Sequence, residues 1–291
     1  MTAAAAGAVS LLTLLKLGRV SNLPTVWTNV LAGTLIAGGV GQSARTLLVV
    51  LAMTLAYLGG MYLNDYFDRA IDARERPERP IPAQEITPRA VAAIGFGLLG
   101  AAIALMAPLG IASAASALVL AAAIVAYDLF HKGYSFSPLV MGLCRALVYV
   151  GAAAAAVGGV SASLLLAALA LLAFVAGISY AAWQERLDRP SQLWPLALLA
   201  PPLLLTVPAL GQAIVGVALY LALVGAIAGA LYLLARRPSA DAVPRAVGLL
   251  IAAISLVDAA FLAGIGALAP ALLAALGFPL TLLLQKYITG T

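Results

Sequence analysis

An all-α membrane-spanning helical bundle is the fold class this sequence predicts, and three observations predict it. Hydrophobic residues form 64% of the 291-residue chain and charged residues 9%, against roughly 45–50% and about 25% in soluble domains. The apolar residues fall into runs of about 20, the length that crosses a hydrocarbon core as a helix. The few charges lie between the runs, nearly all on one side of the implied membrane. This composition excludes a soluble domain, a disordered chain and a collagen, and the single cysteine, Cys144, excludes an intramolecular disulfide.

Hydrocarbon offers no hydrogen-bond partner to an open backbone, so each run is read as a helix. The N-terminal apolar stretch lacks a basic leader, and its first cations, Lys16 and Arg19, come after it. Residues 10–19 therefore read as a short interfacial helix, with residues 1–291 forming one transmembrane domain behind it. The runs are 24–40, 46–66, 88–107, 110–130, 138–159, 161–183, 193–209, 212–235, 244–266 and 268–287. The seventh contains Pro201 and Pro202, which predict a kinked or partly re-entrant segment.

If the runs alternate in direction, 14 of the 16 cations share one face. Only Arg45 falls on the other face, and only Arg145 lies within a run. That asymmetry predicts a multi-pass protein of a bacterial inner membrane whose polar face is cytoplasmic. The opposite loops are very short, so the chemistry is expected at one interface. The cations follow topology rather than forming a patch with interleaved aromatics, so no nucleic-acid partner is expected.

Eight of the 11 acidic residues fall in two cytoplasmic connections. In the first, Asp65, Asp68 and Asp72 stand at i, i+3 and i+7, with Asn64 four residues before Asp68. A helix continuing past Tyr66 would project these oxygens from one face. Crowded carboxylates repel unless a cation sits among them. Hard oxygen donors with no histidine or cysteine nearby in the sequence suit Mg2+, which binds a few carboxylates together with substrate phosphates. Arg74, Arg76 and Arg79 just downstream suit a phosphate-bearing ligand.

The run Asn64-Asp65-Tyr66-Phe67-Asp68-Arg69-Ala70-Ile71-Asp72, followed by Arg76-Pro77-Glu78-Arg79-Pro80-Ile81-Pro82, resembles the first aspartate motif of the UbiA superfamily of intramembrane prenyltransferases. Gly18 to Asn29 is similar to that family's entry to its first helix, and Tyr127 to Lys132 to its motif closing the fourth. The resemblance implies nine helices around a cavity open to the cytoplasm, where the count of runs gives nine or ten. It implies Mg2+ held by Asn64, Asp65, Asp68 and Asp72, and an isoprenyl diphosphate whose chain lies among apolar helices with access from membrane lipid. Asp68, Asp72, Lys132 and Asp188 would be catalytic. Asn64, Arg74, Arg79, Tyr127, Arg145 and Glu185 would bind substrate. Runs five and nine, around Arg145 and Asp258, resemble the UbiA-like EboC subgroup. In the second aspartate motif the family has Asp-x-x-x-Asp, whereas this chain has Gln184 four residues before Asp188, with Glu185 between them.

The implied reaction is Mg2+-dependent transfer of an isoprenyl group to an aromatic or other lipophilic acceptor. A terpene cyclase of the same superfamily and a prenyl-lipid binding or transport component stand as alternatives. Arg145 and Asp258 lie within apolar runs, where a charge costs about 2.5–3.5 kcal/mol on insertion scales, so each should face a cavity or a partner. They could pair with each other across the bundle, and Asp128 could pair with Lys132 or Arg145. Asn22 and Asn29 are weaker candidates for the cavity wall, and His131, the one histidine, makes no zinc site alone.

Overall fold

The computed structural model describes residues 9–40, 43–131, 134–183 and 194–290. Among them the regular elements are helices: α1 (Leu11–Leu17), α2 (Leu23–Ile36), α3 (Ser43–Glu75), α4 (Pro88–Met106), α5 (Ile111–Phe130), α6 (Ser137–Val157), α7 (Ala162–Trp183), α8 (Pro201–Leu205), α9 (Ala213–Arg236), α10 (Ala242–Gly264), α11 (Leu268–Ala275) and α12 (Gly277–Gln285). Nine segments of the described residues are long and apolar enough to cross a membrane. The first predicted run is not among them, because α2 has only 14 residues and ends ahead of Gly38, which turns the chain at φ +88.

Three differences from the predicted runs have local causes. Run two does not stop at Tyr66: α3 continues for 33 residues, about 49 Å at 1.5 Å per residue. It therefore overshoots a core about 30 Å thick and carries the acidic motif on its projecting turns. Run seven is broken, as its prolines predict, into a 3-10 segment Trp194–Leu199, the short α8 and a second 3-10 segment Val207–Gly211. Run ten also breaks, at Leu276, where a single helix was predicted. Pro279 cannot donate to the carbonyl of Ala275 and its ring would crowd it. In addition, Gly277 lies so close to α10 that a Cβ there would stand 2.6 Å from the Ser255 hydroxyl.

The helices form two packed groups. Residues from α2 to α6 bury Val30, Met53, Leu63, Met106 and Ala152 in one core. Residues from α6 to α12 bury Tyr149, Leu171, Phe174, Leu223 and Leu250 in another. Helix α10 is the axis of the second group, buried continuously from Ala252 to Ala263. Lipid supplies no hydrophobic drive between spanning helices, so close approach depends on small residues. Gly33 of α2 shows this, since a Cβ there would meet the Tyr149 Cα of α6 at 2.8 Å. Outside the bundle, α1 is tied down by two bonds. The Tyr62 hydroxyl donates to the Leu14 carbonyl at 3.0 Å, and the Thr13 hydroxyl donates to Glu85 Oε2 at 2.6 Å.

Candidate functional site

The projecting turns of α3 place Asn64, Asp65, Asp68 and Asp72 on one buried face, each at most 7% exposed, while Arg69, Ala70, Ala73 and Arg74 face outward. The helical spacing read from the sequence is thus realised. The charge among these carboxylates comes from side chains of the chain itself. Arg79 Nη1 donates to Asp65 Oδ1 at 3.1 Å and to Asp72 Oδ2 at 3.0 Å. Arg19 Nη2 donates to Asp65 Oδ1 at 3.1 Å and to Asn64 Oδ1 at 3.2 Å. His131 Nε2 stands 3.3 Å from Asp68 Oδ2.

Arg19 is the site residue that sequence reasoning missed, having counted it only as a topological anchor. Its backbone takes a left-handed conformation, φ 40 and ψ 48, which a bulky side chain rarely adopts. Its carbonyl accepts a hydrogen bond from the Tyr57 hydroxyl at 3.2 Å. Burial alone would lower the Arg19 pKa, but the Asp65 carboxylate, with Tyr57, Tyr127 and Asp68 beyond it, holds it above its ordinary value.

Below this charged mouth lies a cavity of about 1010 Å³. Its polar end is formed by Arg19, Asn64, Asp68, Asp72, Arg79, Asp128 and His131. Its walls are Val26, Met53, Ala56, Leu120, Ile124, Val148, Val175, Ile178 and Ile251. Tyr127 lines it too, stacked on His131 with ring centroids 4.9 Å apart. Arg74 lies on the rim, and its Nε donates to the Ala70 carbonyl of its own helix at 3.3 Å. Lys132, Glu185 and Asp188 lie outside the described residues, as does Gln184.

Two predicted pairings are corrected. Asp128 does not pair with Arg145: Asn64 Nδ2 donates to its Oδ1 at 3.2 Å, and its buried Oδ2 has no hydrogen-bond partner among the described residues; its other expected partner, Lys132, lies outside them. Arg145 and Asp258 do not pair directly either, because Asn29 stands between them. Arg145 Nη1 donates to Asn29 Oδ1 at 3.0 Å, and Asn29 Nδ2 donates to Asp258 Oδ1 at 3.0 Å and Oδ2 at 2.8 Å. The Tyr149 hydroxyl also donates to Asp258 Oδ1. An amide suits the position because it accepts from the cation and donates to the anion at once. A signal for it existed in the sequence: Asn22, Thr25 and Asn29 stand at i, i+3 and i+7 at the start of a largely apolar run.

The donor chemistry fits a hard dication. As metal donors Asn64, Asp65, Asp68, Asp72 and Asp128 bring oxygens, and the buried Asp128 Oδ2 is an acceptor without a hydrogen-bond partner among the described residues. Yet no three of the described His, Cys, Asp or Glu side chains converge closely enough to hold an ion as they stand. Arg79 occupies the position between Asp65 and Asp72, and it would have to swing away for both to turn toward a metal.

A long helix presenting oxygens over an amphipathic cavity is the geometry that the motif resemblance implies. The model of the UbiA prenyltransferase family matches residues 25–247. The chain belongs to the UbiA prenyltransferase family. The digeranylgeranylglyceryl phosphate synthase of Halobacterium salinarum is 37% identical to this UbiA-family chain over 166 residues, 55% of this chain and 58% of that protein. The synthase of Methanothrix thermoacetophila is 46% identical over 80 residues, 27% of this chain and 30% of that protein. The matched segments thus span less than two thirds of these relatives. Among solved structures, one of a digeranylgeranylglyceryl phosphate synthase superposes with a TM-score of 0.61 at 20% identity, covering 88% of this chain and 98% of that one. A UbiA homologue from Archaeoglobus fulgidus gives 0.61 at 14% identity, covering 88% and 99%. At such identities the likeness carries the fold alone. The EboC-like subgroup remains a resemblance of runs five and nine.

Proposed function

We propose that this UbiA-family chain transfers an isoprenyl group from an isoprenyl diphosphate to a lipophilic acceptor within the membrane, with Mg2+ as cofactor. The observation that carries the reading is the cavity itself, with oxygens and guanidinium groups at one end and aliphatic walls below. A diphosphate ester matches both halves, its anion at the mouth and its hydrocarbon among Met53, Leu120, Val148 and Ile178. The names of the curated relatives set a phosphate-bearing glycerolipid beside an aromatic molecule among the acceptors to test.

Asn64, Asp65, Asp68 and Asp72 would hold Mg2+, which when bound would stabilise negative charge on the departing diphosphate. Arg79, released from Asp65 and Asp72, would turn to the phosphate oxygens, with Arg74 and Lys132 adding positive charge at the rim. Tyr127 and Tyr57 line the cavity, where aromatic rings would favour an allylic cation. Asp188 and Glu185 would complete the polar end from the second acidic connection. The bundle acts as one domain with α1 lying at the interface, and the cation asymmetry supports a site facing the cytoplasm.

Incubating purified protein with Mg2+, radiolabelled isoprenyl diphosphates of several lengths, and phenolic and glyceryl-phosphate acceptors tests this. A prenylated acceptor, lost with Asp68→Asn, is the expected result. Folded protein that gives neither product nor released diphosphate would sink the transfer reading. A cyclic product without acceptor would select the cyclase, and Mg2+-dependent binding without turnover would select a carrier.

A further inference from the structure

Arg145 is a cation at the cavity wall that the diphosphate end does not use. It lies inside α6 and lines the cavity. Its guanidinium carbon sits 5.6 Å from the centre of the Tyr57 ring. Among the described residues it has one hydrogen bond, from Nη1 to Asn29 Oδ1, and no carboxylate within ion-pair distance. Asp258 acts on it only through Asn29, because both Asp258 oxygens are engaged by Asn29 and one also by Tyr149. A guanidinium carries five N–H donors in a planar fork suited to a carboxylate or a phosphate. The Asn29 clamp holds one prong and Tyr57 flanks the group, which leaves the remaining prongs for a ligand.

Its depth separates this group from the charged mouth. Tyr57 precedes Asn64 by two turns of α3, about 10 Å along the axis. One diphosphate anchored among Asp68, Asp72 and Arg79 does not extend that far. Given the proposed transfer reaction, on which this step rests, we infer that Arg145 receives a second anion, the phosphate or carboxylate headgroup of a lipophilic acceptor. The acceptor is then an anionic amphiphile, oriented by Arg145 from below while the isoprenyl diphosphate is held from above. Asn29 and Asp258 are positioning residues that fix the guanidinium.

The test measures binding by the full chain in neutral-lipid nanodiscs with Mg2+. Dodecyl phosphate, laurate and dodecanol are titrated with and without a saturating, unreactive isoprenyl thiodiphosphate. At least one anion should bind ten times or more tightly than dodecanol with the thiodiphosphate present, and the preferred anion names the headgroup. Arg145→Gln should weaken that binding tenfold or more while thiodiphosphate affinity stays within twofold, and Arg145→Lys should restore part of it. Equal binding of dodecanol, displacement of the anions by thiodiphosphate, or indifference to Arg145→Gln would each overturn the inference. If Arg145→Gln does not fold, the competition arm in the wild-type chain decides. Arg145-dependent anion binding without any thiodiphosphate binding would support this site and count against the transfer reading alone.

Discussion

Replacing Asn29 with alanine removes three hydrogen bonds from a residue that is 0% exposed and leaves two charged partners, Arg145 and Asp258, without their bridge. Membrane-interior hydrogen bonds average about 0.6 kcal/mol in double-mutant cycles, so three set a floor near 2 kcal/mol. Bonds to charged groups run about 1.5–3 kcal/mol each, which raises the expectation to about 3 kcal/mol. Tyr149 still donates to Asp258, and the cavity still hydrates Arg145, so the full sum is not reached. A loss of about 3 kcal/mol lowers the folded-to-unfolded ratio by roughly a hundredfold. Equilibrium unfolding in bicelles, read by a steric trap, measures it directly. The companion cycle with Asp258→Ala should give a coupling of about 1 kcal/mol or more, since residues in one network are not additive. A cost below about 0.5 kcal/mol, with additive single substitutions, would refute the bridge.

Stripping Mg2+ with a chelator should leave the fold intact, because Arg19 and Arg79 already pair with Asp65 and Asp72; an unchanged helical circular dichroism signal checks this. Arg79→Gln should lower the melting temperature in chelator more than in millimolar Mg2+, because Asp65 and Asp72 then repel without their shared cation. Equal losses in the two conditions would count against the swing of Arg79. Gly33→Val should cost about 1–3 kcal/mol by overpacking α2 on the Tyr149 backbone, measured by the same unfolding assay. Asp72→Asn should reduce Mg2+-dependent binding of isoprenyl thiodiphosphate at least tenfold in isothermal titration, and unchanged affinity would remove Asp72 from the metal set.

Much of the bundle was legible because the signals are local. The run boundaries of α4 to α7, α9 and α10 match their helices within about two residues, the ordinary uncertainty of helix ends. The one-face spacing of Asp65, Asp68 and Asp72 also needed nothing beyond helical periodicity. Two helices deceived the reading. α2 is shorter than its apolar run because Gly38 turns the chain, and run ten breaks where Pro279 coincides with tight packing of Gly277 on α10. An average of hydropathy over a run does not register a single residue that interrupts the backbone ladder.

The sequence by itself determined the class, most of the spans, the charged face and the acidic helix face, because these follow from the length and periodicity of single segments in hydrocarbon. Only the tertiary structure decided what the charges do. Asn29 meets Arg145 and Asp258 across separations of 116 and 229 residues, and Arg19 reaches Asp65 across 46. Such contacts depend on how closely α2 approaches α6 and α10, and Gly33 is what permits the close approach to α6. No single segment encodes that distance. It arises when the helices pack, and packing turned an expected Arg145–Asp258 pair into a bridged one with a guanidinium left facing the cavity.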